Sequence, residues 1–167
     1  MTAKSFTPAD EPDDAPPEHR PGPPRRILVV DDEPLIRQLY TEVLTDSGHK
    51  VDGAEDGAVA WDTLQKQRYD LLITDNEMPK VSGMELLEML HDVGMNLPVI
   101  MATGTFPKEE FNHRPWLQPD ITLIKPFILA EFALAVDEVL DANHLVRAAA
   151  IPPAHWHVQP VANRLRI

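Results

Sequence analysis

Four strand-forming residues, Leu71 to Thr74, run straight into an acid, Asp75. A turn-forming segment, MPKVSG, follows, and then an apolar-periodic helix from about Met84 to His91. An apolar run this short, bounded by turn residues, suits a central parallel strand buried on both faces. An acid at the end of such a strand points into the crevice above the sheet edge, where open α/β proteins bind ligands. Taken alone, Asp75 reads equally well as a cap for the turn or for the next helix.

The same pattern recurs along the chain. Ile27 to Val30 is a β-branched run that ends in Asp31, Asp32 and Glu33, after which Pro34 opens a helix at its first turn. Leu35, Ile36, Leu39, Val43 and Leu44 recur at helical spacing, and Ser47-Gly48 ends that helix. Lys50 to Ala54 is a weaker strand, Asp56-Gly57 a turn, and Ala58 to Gln67 a helix with Trp61 and Leu64 inward. Leu97 to Met101 is a fourth strand, ending at Ala102-Thr103-Gly104. The segment FPKEEFNHRPWLQPD is the least regular, since Pro115 and Pro119 limit any helix to Lys108–His113. Ile121 to Ile124 is a fifth strand that runs into Lys125-Pro126-Phe127. The final helix spans Ala130 to Asn143, with Phe132, Leu134, Val136, Val139 and Leu140 as its apolar positions. Strands alternating with helices five times over imply a parallel sheet with helices on both faces.

The two ends differ from this middle. Residues 1–25 are rich in Pro, Asp and Glu, with too little apolar surface to offset the entropy of ordering, and are expected to form a disordered arm. Residues 26–143 form the folded domain, and 144–167 a C-terminal tail. In that tail His155 and His157 flank Trp156 with no carboxylate or thiolate nearby in sequence, a poor metal site. A net charge of −12 argues against a basic nucleic-acid-binding face. With no cysteine, disulfides and thiolate chemistry are excluded. No apolar run reaches membrane-spanning length and the N-terminus lacks a signal-peptide core, so a soluble cytoplasmic protein with no membrane partner is expected.

Asp31-Asp32, Asp75, Thr103 and Lys125 all stand at strand ends. In a parallel sheet these ends share one edge, so the groups converge. Clustered carboxylates repel unless a cation joins them. Oxygen ligands with room for water favour Mg²⁺, which takes one or two carboxylates plus a phosphoryl oxygen. A lysine and a hydroxyl opposite can hold the other phosphoryl oxygens. An Asp between metal and lysine is then placed as a phosphoryl acceptor, a known class of carboxylate nucleophile.

The motifs ILVVDDEP, LLITDNEMPKVSG, MATG and IKPF resemble the receiver domain of two-component response regulators, in order and spacing, over about residues 26–143. The resemblance implies a stand-alone receiver with a flavodoxin-like (βα)5 fold and strand order 2-1-3-4-5. It makes Asp75 the phosphoacceptor. It makes Asp32 a Mg²⁺ ligand with Asp31 supporting it, largely through water, and gives the metal the backbone carbonyl of Glu77. Thr103 and Lys125 would contact the phosphoryl group, and Lys125-Pro126 would be a cis peptide. The implied partner is a sensor histidine kinase or a histidine phosphotransfer protein, whose phosphohistidine donates to Asp75. The acyl phosphate formed would later hydrolyse, a weak self-hydrolysis activity.

The chain departs from that family in three places. The position three before the lysine, where an aromatic switch residue is usual, is Thr122. The segment before it is broken by prolines, and Glu77 sets an extra acid beside the site. With Thr122 unable to swing a ring, the 104–120 segment, with Phe106, Phe111 and Trp116, becomes the candidate reporter of phosphorylation; the alternative is a rigid segment whose aromatics are core. Two other functions compete with a phosphoacceptor. One is a receiver-like interaction domain that no longer cycles phosphate. The other is a phosphatase of the haloacid dehalogenase type, which needs a DxD motif on its first strand that TDNEM does not supply. A dinucleotide-binding domain would need GxGxxG where VVDDEP stands.

Overall fold

The structure, a computed structural model, describes residues 23–149. The expected arm, apart from residues 23–25, and the His155-Trp156-His157 stretch of the tail lie outside the described residues. The elements in chain order are β1 (Arg26–Val30), α1 (Pro34–Asp46), β2 (Lys50–Ala54), α2 (Gly57–Leu64), β3 (Leu71–Thr74), α3 (Gly83–Asp92), β4 (Val99–Thr103), α4 (Lys108–His113), β5 (Ile121–Ile124) and α5 (Leu129–Ala149). A 3-10 turn, Pro115–Leu117, separates α4 from β5.

Every strand pairing is parallel, and the order is β2-β1-β3-β4-β5, the flavodoxin-like arrangement expected from the sequence. The order reverses between β1 and β3, and the crevice at that reversal is where open α/β sheets bind ligands. The central strands are buried on both faces: β3 and β4 have no exposed residue. Alternation along each strand divides the core. Ile27, Val29, Leu71, Ile73 and Ile100 meet Tyr40, Leu44, Phe132 and Val136 from α1 and α5. Leu28, Val30, Leu72 and Met101 meet Leu64, Leu86, Leu90 and Phe111 from α2, α3 and α4.

Local chemistry explains the element ends. Pro34 stands in the first turn of α1, where its missing N–H costs nothing. Gly48, at φ +90, carries the chain out of α1 through a left-handed residue. Helix α3 starts in a capping box, with Ser82 and Glu85 each bonding the other's backbone N–H. The strand β4 begins at Val99, two residues later than the sequence indicates, because Pro98 has no N–H to give a ladder. Helix α2 stops at Leu64, short of the expected Gln67, and α5 runs on to Ala149, past the expected end at Asn143.

Three side chains depart from their expected places. Leu35 and Leu134 are 73% and 68% exposed, and Leu39 is also exposed. In α1 the buried position next to Leu39 belongs to Tyr40, whose ring stacks on Phe132 at 4.5 Å and on Phe127 at 6.1 Å. An aromatic side chain fills the α1–α5 space that Leu39 was expected to fill, and the apolar stripe rotates accordingly. Among the described residues, no helix is long and apolar enough to cross a membrane.

Phe132 is fully buried, whereas Leu134 lies on the outer side of the same helix. Phe132→Ala is therefore expected to destabilise the fold by about 3–5 kcal/mol. Leu134→Ala should stay within about 0.5 kcal/mol of the parent. Urea unfolding midpoints compare the two, and a larger loss for Leu134→Ala would contradict this packing.

Candidate functional site

The sheet sets three carboxylates side by side at its C-terminal edge. Asp31 follows β1 and Asp75 follows β3, and the pairing continues past both strand ends. The Asp31 amide donates to the Ala54 carbonyl at 3.2 Å, and the Asp75 amide to the Val30 carbonyl at 2.9 Å. Asp31, Asp32 and Asp75 each offer an oxygen within 4.8 Å of the others. Like charges this close repel, least where solvent screens Asp32. Asp31 is 2% and Asp75 9% exposed, while Asp32 faces solvent. The cluster is thus open on one side and dry on the other.

Lys125 supplies the compensating charge. It follows β5, whose last residues pair with β4, and its own amide donates to the Thr103 carbonyl at 2.8 Å. The Lys125–Pro126 peptide is cis, as the sequence resemblance implies. The Lys125 Nζ lies 3.1 Å from Asp31 Oδ2 and 3.5 Å from Asp75 Oδ2. Burial works to lower the Lys125 pKa, but the charges of Asp31 and Asp75 outweigh it and hold the ammonium above its ordinary value. Burial pushes the Asp75 carboxyl up from the ordinary carboxylate range, against Lys125 and the Asn76 and Glu77 amides, which favour the ionised form.

The loop after β3 grips Asp75. Its Oδ1 accepts from the Asn76 amide at 2.7 Å. Asn76 in turn accepts from the Met84 amide through its side chain and from the Gly83 amide through its carbonyl. Gly83 has to be glycine here, since a Cβ at that position would overlap the Asp75 carbonyl oxygen. Glu77 stands two residues past Asp75 with its side chain exposed and outside the three-carboxylate cluster. Thr103 ends β4, fully buried, and its hydroxyl donates to the Thr105 carbonyl at 3.1 Å. Of the residues singled out from sequence, Asp31, Asp32, Asp75 and Lys125 thus meet directly. Thr103 is tied to Lys125 through the backbone, and Glu77 touches the site with its amide.

Four further residues shape the site. The Arg37 guanidinium donates to the Asp31 carbonyl from α1. Asn76 anchors the loop. Tyr40 lies close enough to feel the charges of Lys125, Asp31 and Asp75, and its hydroxyl is raised mainly by burial. Lys80 reaches Asp56 across the loop after β3. Arg37 and Tyr40 lie on α1, away from the strand ends, and Asn76 and Lys80 lie in the LLITDNEMPKVSG motif without being the acid that ends the strand. Lys80 takes a left-handed backbone, φ +65, that its residue type does not announce.

A doubly wound sheet with a carboxylate trio and a lysine at its switch point defines a receiver-type signalling domain. The chain matches the family model for the response regulator receiver domain over residues 27–137, and it belongs to that family of two-component systems. It is 38% identical to response regulator RppA of Synechocystis over 85% of this chain, and it spans 62% of that relative's length. Response regulator TrrA of Thermotoga maritima, solved in complex with Mg²⁺ and BeF, is 34% identical, with a TM-score of 0.61 over 69% of this chain and 98% of TrrA. A Francisella response regulator receiver domain is 27% identical, with a TM-score of 0.66 over 71% of this chain and 98% of that one.

The raised Asp75 pKa has a measurable consequence. The folded chain holds the Asp75 proton more tightly than the unfolded chain does, so this group's contribution to stability falls as pH rises through that window. Above it, an ionised Asp75 costs stability. Without divalent metal, Asp75→Asn is therefore expected to raise the melting temperature at pH 7, with Lys125 keeping Asp31 as its partner. The gain should shrink as pH falls into the range where Asp75 takes a proton. A pH series of thermal melts tests this, and a gain that grows on acidification would contradict it.

Proposed function

We propose that this receiver takes a phosphoryl group onto Asp75 from the phosphohistidine of a sensor histidine kinase or a histidine phosphotransfer protein, and that it signals through protein contacts. The observation that carries this reading is the Lys125 ammonium set between the Asp31 and Asp75 carboxylates at the open end of the sheet. In the transfer, an Asp75 carboxylate oxygen attacks phosphorus. The phosphorus–nitrogen bond to imidazole breaks as the phosphorus–oxygen bond forms, and the freed imidazole nitrogen takes a proton. Attack by water later releases inorganic phosphate and restores the carboxylate. The intact set of Asp31, Asp32, Asp75, Thr103 and Lys125 argues against a receiver-like domain that does not cycle phosphate.

Each residue has a part in it. Lys125 holds a phosphoryl oxygen by charge, and Thr103 donates its hydroxyl to another. Asp31, Asp32 and Asp75, with the Glu77 carbonyl, would hold Mg²⁺. Three oxygens within 4.8 Å of one another, one residue solvent-facing, fit an octahedral cation that keeps several waters. When bound, the ion neutralises charge on the phosphoryl oxygens. The TrrA complex with Mg²⁺ and BeF supports this assignment. With it go residues 26–143 as the receiver, 1–25 and 144–167 as flanking segments, and the cytoplasm as its location.

Incubation with a small phosphodonor, read by intact mass, tests the reading. One added phosphoryl group is expected, mapped to Asp75 and dependent on Mg²⁺, because the carboxylate cluster repels an anionic donor. Asp75→Asn should abolish it. Lys125→Ala should lower it strongly, while Glu77→Gln, at an exposed position, should change the rate only by roughly a few-fold and less at high salt. Labelling of Asp75→Asn at the parent rate would overturn the assignment.

Output follows from Thr103. Its hydroxyl now bonds Thr105, so a phosphoryl group that draws it away frees the start of the 104–120 segment. That segment holds Phe106, half exposed and edge-on to the buried Phe111 at 5.5 Å, and Trp116, exposed beside His91. Hydrogen exchange with and without beryllofluoride should show protection changes centred on 104–120. Changes confined to residues touching the phosphoryl mimic would refute this route.

A further inference from the structure

Lys80 is the only residue other than glycine with a positive φ among the described residues, at +65. That conformation disfavours any side chain with a Cβ, and strain of this kind collects where surrounding structure holds it for a purpose. The surrounding structure here is Asp56. Lys80 Nζ lies 2.6 Å from Asp56 Oδ2, and the Asp56 side chain is only 2% exposed. The other Asp56 oxygen caps α2, accepting from the Val59 amide at 2.9 Å. The next residue adds to the junction. The Gly57 amide donates to the Val81 carbonyl at 3.1 Å, and a Cβ on Gly57 would strike Val81. The start of α2 is thereby fastened to the middle of the loop that leaves Asp75.

That loop is what holds the reactive carboxylate. The amides of Asn76 and Glu77 bond Asp75, and the Met78 and Gly83 amides close the loop onto the Asn76 carbonyl. We propose that Asp56 and Lys80 form a clasp that positions the Asp75 loop for metal and phosphoryl binding, acting from outside the carboxylate cluster. Neither residue touches the reacting atoms. Both are positioning residues, and the proposal rests on the phosphoacceptor reading above. The tether is one-sided: removing Lys80 leaves a buried carboxylate without its cation, whereas the exposed Lys80 ammonium also lies 3.9 Å from Glu55. What sets this pair apart from an ordinary surface ion pair is the buried Asp56 carboxylate and the left-handed backbone at Lys80.

Substitutions can separate the clasp from simple loss of structure. Asp56→Asn keeps a competent cap for α2 while removing the charge. Lys80→Met removes the ammonium, and Lys80→Arg restores a cation at the same place. In the full-length, metal-free chain, hydrogen exchange should speed by roughly tenfold at the Asn76, Met78, Val81 and Gly83 amides in Asp56→Asn and in Lys80→Met. The double variant should be no faster than either single one, and Lys80→Arg should return exchange to the parent rate. With acetyl phosphate as donor, the Mg²⁺ concentration for half-maximal phosphorylation should rise several-fold in the same two variants. Unchanged loop exchange, additive effects in the double variant, or faster exchange spread evenly over the sheet would overturn the clasp. So would a loosened loop with an unmoved Mg²⁺ midpoint. If the parent chain itself takes no phosphoryl group, the phosphoacceptor reading falls and the positioning role falls with it, whatever the exchange rates show.

Discussion

Two buried carboxylates from neighbouring strands stand close enough to repel, and one ammonium from the far edge strand sits between them. The rest of the structure serves that contact. Asp31 and Asp75 come together because β1 and β3 pair directly, and Lys125 reaches them because β5 closes the sheet beyond β4. Asp32 adds a third carboxylate on the open side. Three carboxylates against one ammonium leave the cluster short of positive charge, which is the electrostatic condition for recruiting a divalent cation.

Behind the contact, the core is built to keep it still. The stacked rings of Tyr40, Phe127 and Phe132 join α1, the turn after Lys125 and α5 in one apolar block. On the opposite side, the loop after Asp75 is bonded to itself and packed against α2. The two flanks are unlike in kind. The lysine is supported by aromatic packing, which resists displacement in every direction. The acid is supported by backbone hydrogen bonds, which fix direction and leave room for a ligand on the solvent side.

Much of this was legible from residues alone, for identifiable reasons. Short apolar runs ending in Asp31, Asp75, Thr103 and Lys125 mark parallel strands and their shared edge, because burial on both faces and a polar strand end are local signals. Side-chain direction on the helices was less legible. Leu35, Leu39 and Leu134 fit the helical period but face outward, because large aromatic rings at Tyr40 and Phe132 take the inward positions. The reach of Lys80 to Asp56 was not legible at all, since it depends on a loop conformation and on an approach between segments 24 residues apart. The orientation of the Thr103 hydroxyl toward Thr105 is of the same kind, a rotamer choice that residue type does not set.

The proposed chemistry depends on a cation completing the carboxylate cluster, and direct binding of the metal alone measures this without any phosphodonor. Isothermal titration of the full chain with Mg²⁺ should give a single saturable site, lost in Asp32→Asn, a substitution at a solvent-facing side chain. Substituting Mn²⁺ should broaden the amide resonances of residues 31, 32 and 75–77 first. Absence of binding at millimolar Mg²⁺, or binding that survives Asp32→Asn unchanged, would contradict it.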